Sequence, residues 1–172
     1  MKTRTILLIF FSVLLLPSCT VFIKSNKAEG YNNKIKDDIT VFVLVASVGP
    51  QSKWSNALKT SLESEFAKMN VLADISVHET GTYASFLKEE DIKTNHENGL
   101  ILIIAEAKRT MSDDNKYVRG DFTITLTDNN LGKNVWRSQI PVIFKGGLGS
   151  AESRGNSTAG YIIKKLKSDK LL

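Results

Sequence analysis

Three features of the sequence predict an α/β fold, a mixed five-stranded sheet with helices packed on it. Two apolar runs rich in branched residues, 39–46 and 100–105, suit strands covered on both faces. Between them lies the stripe Trp54, Leu58, Leu62, Phe66 and Met69, whose spacings of four and three are those of one helix face. Two alternating segments, 118–127 and 136–144, then flank the short polar stretch 128–132, the pattern of an antiparallel pair. A chain of 172 residues, 42% hydrophobic and 24% charged, has the size and composition of one globular domain. With 11 glycines and one cysteine it is neither collagen-like nor built on internal disulfides.

In chain order, residues 39–46 form the first strand, and Gly49-Pro50 breaks it before the helix carrying Trp54 to Met69. Asn70 is placed to stop that helix in the left-handed conformation. Val71, Ala73, Ile75 and Val77 alternate with polar neighbours, as a half-exposed strand does. Thr80-Gly81-Thr82 opens a weaker helix, with Tyr83, Phe86, Leu87 and Ile92 inward, which ends near Asn98-Gly99. Residues 100–105 are the most apolar stretch after the N-terminal run and are assigned the central strand. A polar connection, residues 108–116, leads to the antiparallel pair, and Pro141 marks the second of those strands as an edge. A glycine-rich passage, Gly146-Gly147-Leu148-Gly149-Ser150, precedes a last helix whose Ala159, Ile162, Ile163 and Leu166 face the sheet. The order is β-α-β-α-β-β-β-α.

The N-terminus has a different character. Lys2 and Arg4 precede an apolar span, residues 6–16, which ends at Pro17-Ser18-Cys19. Eleven residues of helix reach about 17 Å, roughly half the hydrocarbon thickness of a bilayer, so the span reads as a cleaved secretory leader. Leu16-Pro17-Ser18-Cys19 resembles the lipobox of bacterial lipoproteins, with Pro17 in place of the family's usual small or β-branched residue. The resemblance implies that Cys19, the chain's only cysteine, becomes residue one, carries a diacylglycerol thioether and is N-acylated, commonly with palmitate. Thr20 in place of an aspartate implies sorting to the outer membrane, facing the periplasm. Several acyl chains hold firmly, since each buried methylene contributes about 0.8 kcal/mol. The expected organisation is residues 1–18 as signal peptide, 19–38 as lipidated cysteine and flexible tether, and 39–172 as a single α/β domain.

Few residues point to chemistry. Gly155-Asn156-Ser157-Thr158-Ala159-Gly160 misses the Gly-x-Ser-x-Gly turn of serine hydrolases, and no histidine follows it, so Ser157 or Asn156 is read as a helix cap. Gly146, Gly147, Gly149 and Ser150 precede a helix and are candidates for contact with an anion or partner, but they lack the Gly-Lys-Ser/Thr of a phosphate loop. His78-Glu79 and His96-Glu97 do not have metal-ligand spacing, and no metal or cofactor is expected. Glu106 shares strand parity with Leu102 and Ile104, and an ion pair with Lys108, Arg109 or Arg137 is favoured over a role as acid or base. Lys164, Lys165, Lys167 and Lys170 complement a helix C-terminus, with lipid phosphate or an acidic partner as the minority reading. Net charge, +5 for the whole chain, falls to +3 once Lys2 and Arg4 are removed, and no aromatics interleave with the terminal lysines, so nucleic acid is not expected.

The element order is similar to that of small envelope lipoproteins such as the activators of penicillin-binding proteins, over roughly residues 39–168, although residues 20–38 are short beside that family's tethers. The likeness is topological and implies no site residues. The function expected is a membrane-anchored, non-enzymatic binding or adaptor domain, with a protein or cell-wall component of the envelope as partner. Arg119, Asp121 and Thr123 on an exposed strand face, the edge at Pro141 and the loop from Gly146 to Ser150 are its candidate contacts. The alternative is a receptor for a small ligand or anion.

Overall fold

The computed structural model describes residues 24–45, 50–79, 91–92, 98–114, 116–145 and 149–172. Leu16, Pro17, Ser18, Cys19, Gly146 and Gly147 lie outside the described residues. So does the predicted helix between Thr80 and Gly99, apart from the helical pair Asp91 and Ile92.

The expected class holds, with one strand more than predicted. The elements are β1 (Ser25–Lys27), β2 (Asp38–Val45), α1 (Pro50–Ala67), β3 (Leu72–Glu79), β4 (Leu100–Met111), β5 (Val118–Asp128), β6 (Lys133–Lys145) and α2 (Ala151–Ser168). The sheet order is β1-β6-β5-β4-β2-β3. β2 runs parallel to both β3 and β4, which requires crossovers, whereas β4, β5, β6 and β1 pair antiparallel. β4 lies inside the sheet, as its unbroken apolar run predicts.

Helix α1 starts at Pro50, where the missing N–H costs nothing. Trp54, Leu58, Leu62 and Phe66 are fully buried on one of its faces. Asn70 has φ 57°, the predicted left-handed stop. The stripe shares one buried core with Val41, Val43 and Val45 of β2, Leu102 and Ile104 of β4, and Phe122, Ile124 and Leu126 of β5. Trp54 meets Phe122 at 4.8 Å and Phe144 edge-on at 5.4 Å between ring centroids. The other sheet face has its own smaller core, with Phe42, Leu44, Ile101, Ile103 and Ala105 around Ile92. That is why β2 and β4 read as continuous apolar runs rather than alternations.

The last helix buries the four residues predicted, but it packs chiefly on α1 rather than on the sheet. Gly155 makes this possible: a β-carbon there would stand 2.5 Å from the Trp54 carbonyl oxygen and 2.8 Å from the Ala57 Cβ. Trp54 Nε1 also donates to Thr158 Oγ1 at 3.3 Å across the same contact.

Two expectations about connections are corrected. The stretch after Ala105 was expected to leave the sheet by Lys108, yet β4 continues to Met111. A bulge between Glu106 and Lys108 absorbs the loss of apolar alternation that made this part look like a loop. Residues 24–37, expected as part of a flexible tether, are instead bound to the domain. β1 pairs with residues 136–138 of β6, Ala28 N–H donates to the Val135 carbonyl at 2.8 Å, and Ile35 N–H donates to the Leu171 carbonyl at 2.8 Å. Tyr31 and Ile35 are buried. Their two apolar side chains, four residues apart, give the strap its hold. Because β1 covers only residues 136–138, β6 is still an edge at Pro141, where the absent N–H was expected to put it.

Candidate functional site

The face of the sheet turned away from α1 and α2 carries an open groove of about 450 Å³. Lys24, Ala107, Lys108, Arg119, Asp121, Thr123, Gln139 and Pro141 are among the residues that line it. Strand alternation puts Arg119, Asp121 and Thr123 of β5 on this face, with Gln139 and Pro141 of β6 beside them in register. The structure thus brings together the predicted contact residues Arg119 and Asp121 and the predicted edge at Pro141.

The bulge in β4 decides what else reaches the groove. Strict alternation would put Glu106 and Arg109, three residues apart, on opposite faces of the sheet. The extra residue, Ala107, shifts the phase so that Glu106 lies opposite Phe122 and Arg109 opposite Gly120, both on the helix side. There Arg109 donates to both carboxylate oxygens of Glu106, Nε to Oε1 at 2.8 Å and Nη2 to Oε2 at 2.7 Å. Gly120 leaves room for this: a β-carbon would stand 2.7 Å from the Phe144 ring and 3.0 Å from Glu106 Oε1. The same shift puts Lys108 opposite Asp121 on the groove side. Glu106 is therefore buried in a bidentate ion pair, as the sequence favoured, and the sheet separates it from the groove.

Within the groove Arg119 donates to Asp121 Oδ1 from Nε at 2.9 Å, with Nη2 at 2.8 Å from the same oxygen. The hydrogen bond and the charge of Asp121 push the Arg119 guanidinium still further above its ordinary value, so it stays cationic. Lys24 and Lys108 have no ion-pair partner among the described residues. Lys24 is held at the rim by its carbonyl, which accepts from Ser138 Oγ at 2.9 Å and from Gln139 N–H at 3.4 Å. Three cations face one carboxylate over a floor that includes Ala107 and Pro141. Such a surface suits an anionic group, and among the described residues it offers no second carboxylate for paired acid and base work.

Sequence reasoning missed Lys24 and Lys108. No local pattern marks Ser25-Asn26-Lys27 as a strand, because pairing with β6 alone makes it one, and no pattern marks the bulge that turns Lys108 toward the groove. The spacing of Tyr31 and Ile35 in a polar stretch was the available signal for the strap.

The other candidates separate from the groove. Ser150 is the N-cap of α2, accepting from Ser153 N–H at 3.1 Å, which replaces the predicted caps Asn156 and Ser157. Ser157 sits within the helix and donates to the Ser153 carbonyl at 2.9 Å. Gly149, at φ 83°, gives its carbonyl to Arg154 Nη1 at 2.8 Å. Neither Gly149 nor Ser150 lines the groove. His78 lies 3.1 Å from Ser76 Oγ and stacks near Phe42. No group of three or more metal-ligating side chains occurs among the described residues. No helix among them is long and apolar enough to cross a membrane.

No family model and no curated protein matches the chain. Among solved structures it is similar to the PelC dodecamer protein from Paraburkholderia phytofirmans, with 15% identity, coverage of 87% of this chain and 96% of that one, and a TM-score of 0.39. It is also similar to the lipoprotein GNA1162 from Neisseria meningitidis, with 12% identity, coverage of 77% and 99%, and a TM-score of 0.41. A hypothetical protein from Chlamydia trachomatis gives 10% identity, coverage of 78% and 95%, and a TM-score of 0.42. Likeness at this level is too distant to transfer a partner, a ligand or a site.

Proposed function

We propose that this chain is a lipid-anchored protein of the bacterial envelope, held through acylated Cys19 on the periplasmic side of the outer membrane. Its α/β domain binds or positions another envelope component and catalyses no reaction. The observation that carries the reading is the groove on the sheet face opposite α1 and α2, where Lys24, Lys108, Arg119 and Asp121 converge on an exposed concave surface. The leader and the Leu16-Pro17-Ser18-Cys19 motif supply the anchoring half of the proposal. The bidentate Glu106–Arg109 pair supports the binding half, because the most deeply buried carboxylate near the groove is already committed to a structural partner.

In intact cells, a photo-crosslinker placed at Gln139 should capture a discrete envelope component, and the same probe at Leu131, at the far turn, should not. Equal capture at the two positions, or none, refutes the binding half. For the anchor, labelled palmitate should enter the wild-type chain and not Cys19→Ser. Unlabelled wild-type protein refutes it.

A second reading, a receptor for a small anion, is favoured by the two lysines in the groove that have no carboxylate partner among the described residues. Saturable thermal stabilisation by one member of a panel of anions, abolished in Lys108→Glu, supports that reading, and a flat panel rejects it.

A further inference from the structure

The covalent path from anchor to groove is short. Lys24 lines the groove and is fastened there by Ser138 and Gln139, so the leash proper runs only from Cys19 to Lys24. Five residue steps span at most about 18 Å fully extended. A coil of the whole stretch to residue 38 would let the domain drift several times farther, but residues 24–37 are bound to the domain and add nothing to the reach. The groove rim is therefore held within about two Debye lengths of the bilayer surface at physiological ionic strength.

The charge of the groove matches what lies at that distance. Lys24, Lys108 and Arg119 face one carboxylate, Asp121. An excess of positive charge held this close to a leaflet is drawn to its anionic head groups. The turn between β5 and β6, with Leu131, is about 25 Å away at the other end of the strands.

We infer that the groove docks on phosphate-bearing head groups of the leaflet that holds the acyl chains, so that the domain lies against its own membrane with a fixed face toward it. The inference rests on the acylation of Cys19. Lys164, Lys167 and Lys170, toward the C-terminal end of α2 on the helix side, are the competing cationic surface. Their position at a helix C-terminus already accounts for them, and neighbouring Lys165 is paired with Asp169 at 3.3 Å.

The acylated full-length protein tests this in vesicles of phosphatidylcholine with or without phosphatidylglycerol. The thioether at Cys19 leaves Gln139→Cys or Leu131→Cys as the single free thiol for a fluorophore. With phosphatidylglycerol present, the label at 139 should lose iodide quenching several-fold relative to the label at 131. High salt, or Lys24→Glu with Lys108→Glu, should restore it, and phosphatidylcholine alone should not protect. Equal quenching at the two positions in anionic vesicles overturns the inference. Protection that survives the groove substitutions and vanishes in Lys164→Glu with Lys167→Glu assigns the docking face to α2, and also overturns it. Release of the protection by inorganic phosphate at constant ionic strength reassigns the groove to a free anion. Mass spectrometry of the N-terminal peptide and sedimentation with phosphatidylcholine vesicles read the anchor separately. An unmodified Cys19 removes both proposals, whereas an acylated Cys19 with an exposed label at 139 removes this one alone.

Discussion

Asp169, just past the end of α2, gathers the N-terminal strap, the sheet and the last helix at one carboxylate. Its Oδ2 accepts from Ser25 Oγ of β1 and from Trp136 Nε1 of β6 at 2.7 Å, and Lys165 stands 3.3 Å from Oδ1. Burial alone would raise its pKa, but those hydrogen bonds and the lysine together hold it below the usual carboxylate value. As pH falls below about 4, the unfolded chain takes up this proton before the native one does, so stability is lost through that window. Asp169→Asn should cost about 1–3 kcal/mol in urea denaturation at pH 7. It should also flatten the acid limb of a stability–pH profile. Tyr31 behaves oppositely. Burial first, and then its hydrogen bond and proximity to Asp128, push its pKa up to about 12. Its contribution is complete below about pH 10 and is lost as pH rises toward 12. Tyr31→Phe should therefore remove the alkaline limb of the melting curve between those values. At this scale the sequence was partly legible. The parity of Glu106 with Leu102 and Ile104 announced a buried carboxylate, and one of the three cations named for it, Arg109, holds it. Ser25 and Trp136 stand 144 and 33 residues from Asp169, and Asp128 stands 97 from Tyr31, separations that leave no local trace.

Among elements, the contact between α1 and α2 depends on the missing side chain at Gly155. Gly155→Ala should push the helices apart and cost about 1–3 kcal/mol. Gly160→Ala, on the same helix with nothing within 4 Å of an added β-carbon, should stabilise by up to about 1 kcal/mol. Paired chemical denaturation curves test both, and equal effects at the two positions would refute the close-approach argument. The elements with strong internal periodicity, α1, β5, β6 and α2, were legible because burial on one face writes a 3.6- or 2-residue rhythm into the chain. β1 was not, being three polar or charged residues long. The second half of β4 was not either, since its bulge breaks the alternation that identifies a strand.

For the molecule as a whole, the strap joins the N-terminal segment to the C-terminus. Tyr31 and Ile35 pack into the main core, and the Leu171 carbonyl receives Ile35 N–H. Removing residues 20–35 should cost at least about 3 kcal/mol, from the loss of two buried apolar side chains, and should lower the urea midpoint. An unchanged midpoint would show that the strap contributes nothing. The sequence disclosed the fold class and Arg119 and Asp121 of the groove, but not the groove itself, because its concave surface arises where the β4 bulge and the remote N-terminal strap meet the β5–β6 pair. The strap also has a mechanical consequence. With Cys19 acylated as proposed, a pull on its acyl chains would load β1 first, at the rim of the sheet and away from the aromatic centre around Trp54. Peeling residues 24–37 from that rim would pay out roughly 45 Å of additional line while leaving the remaining five strands paired. The proposed mooring would therefore contain its own reserve of length, released by force.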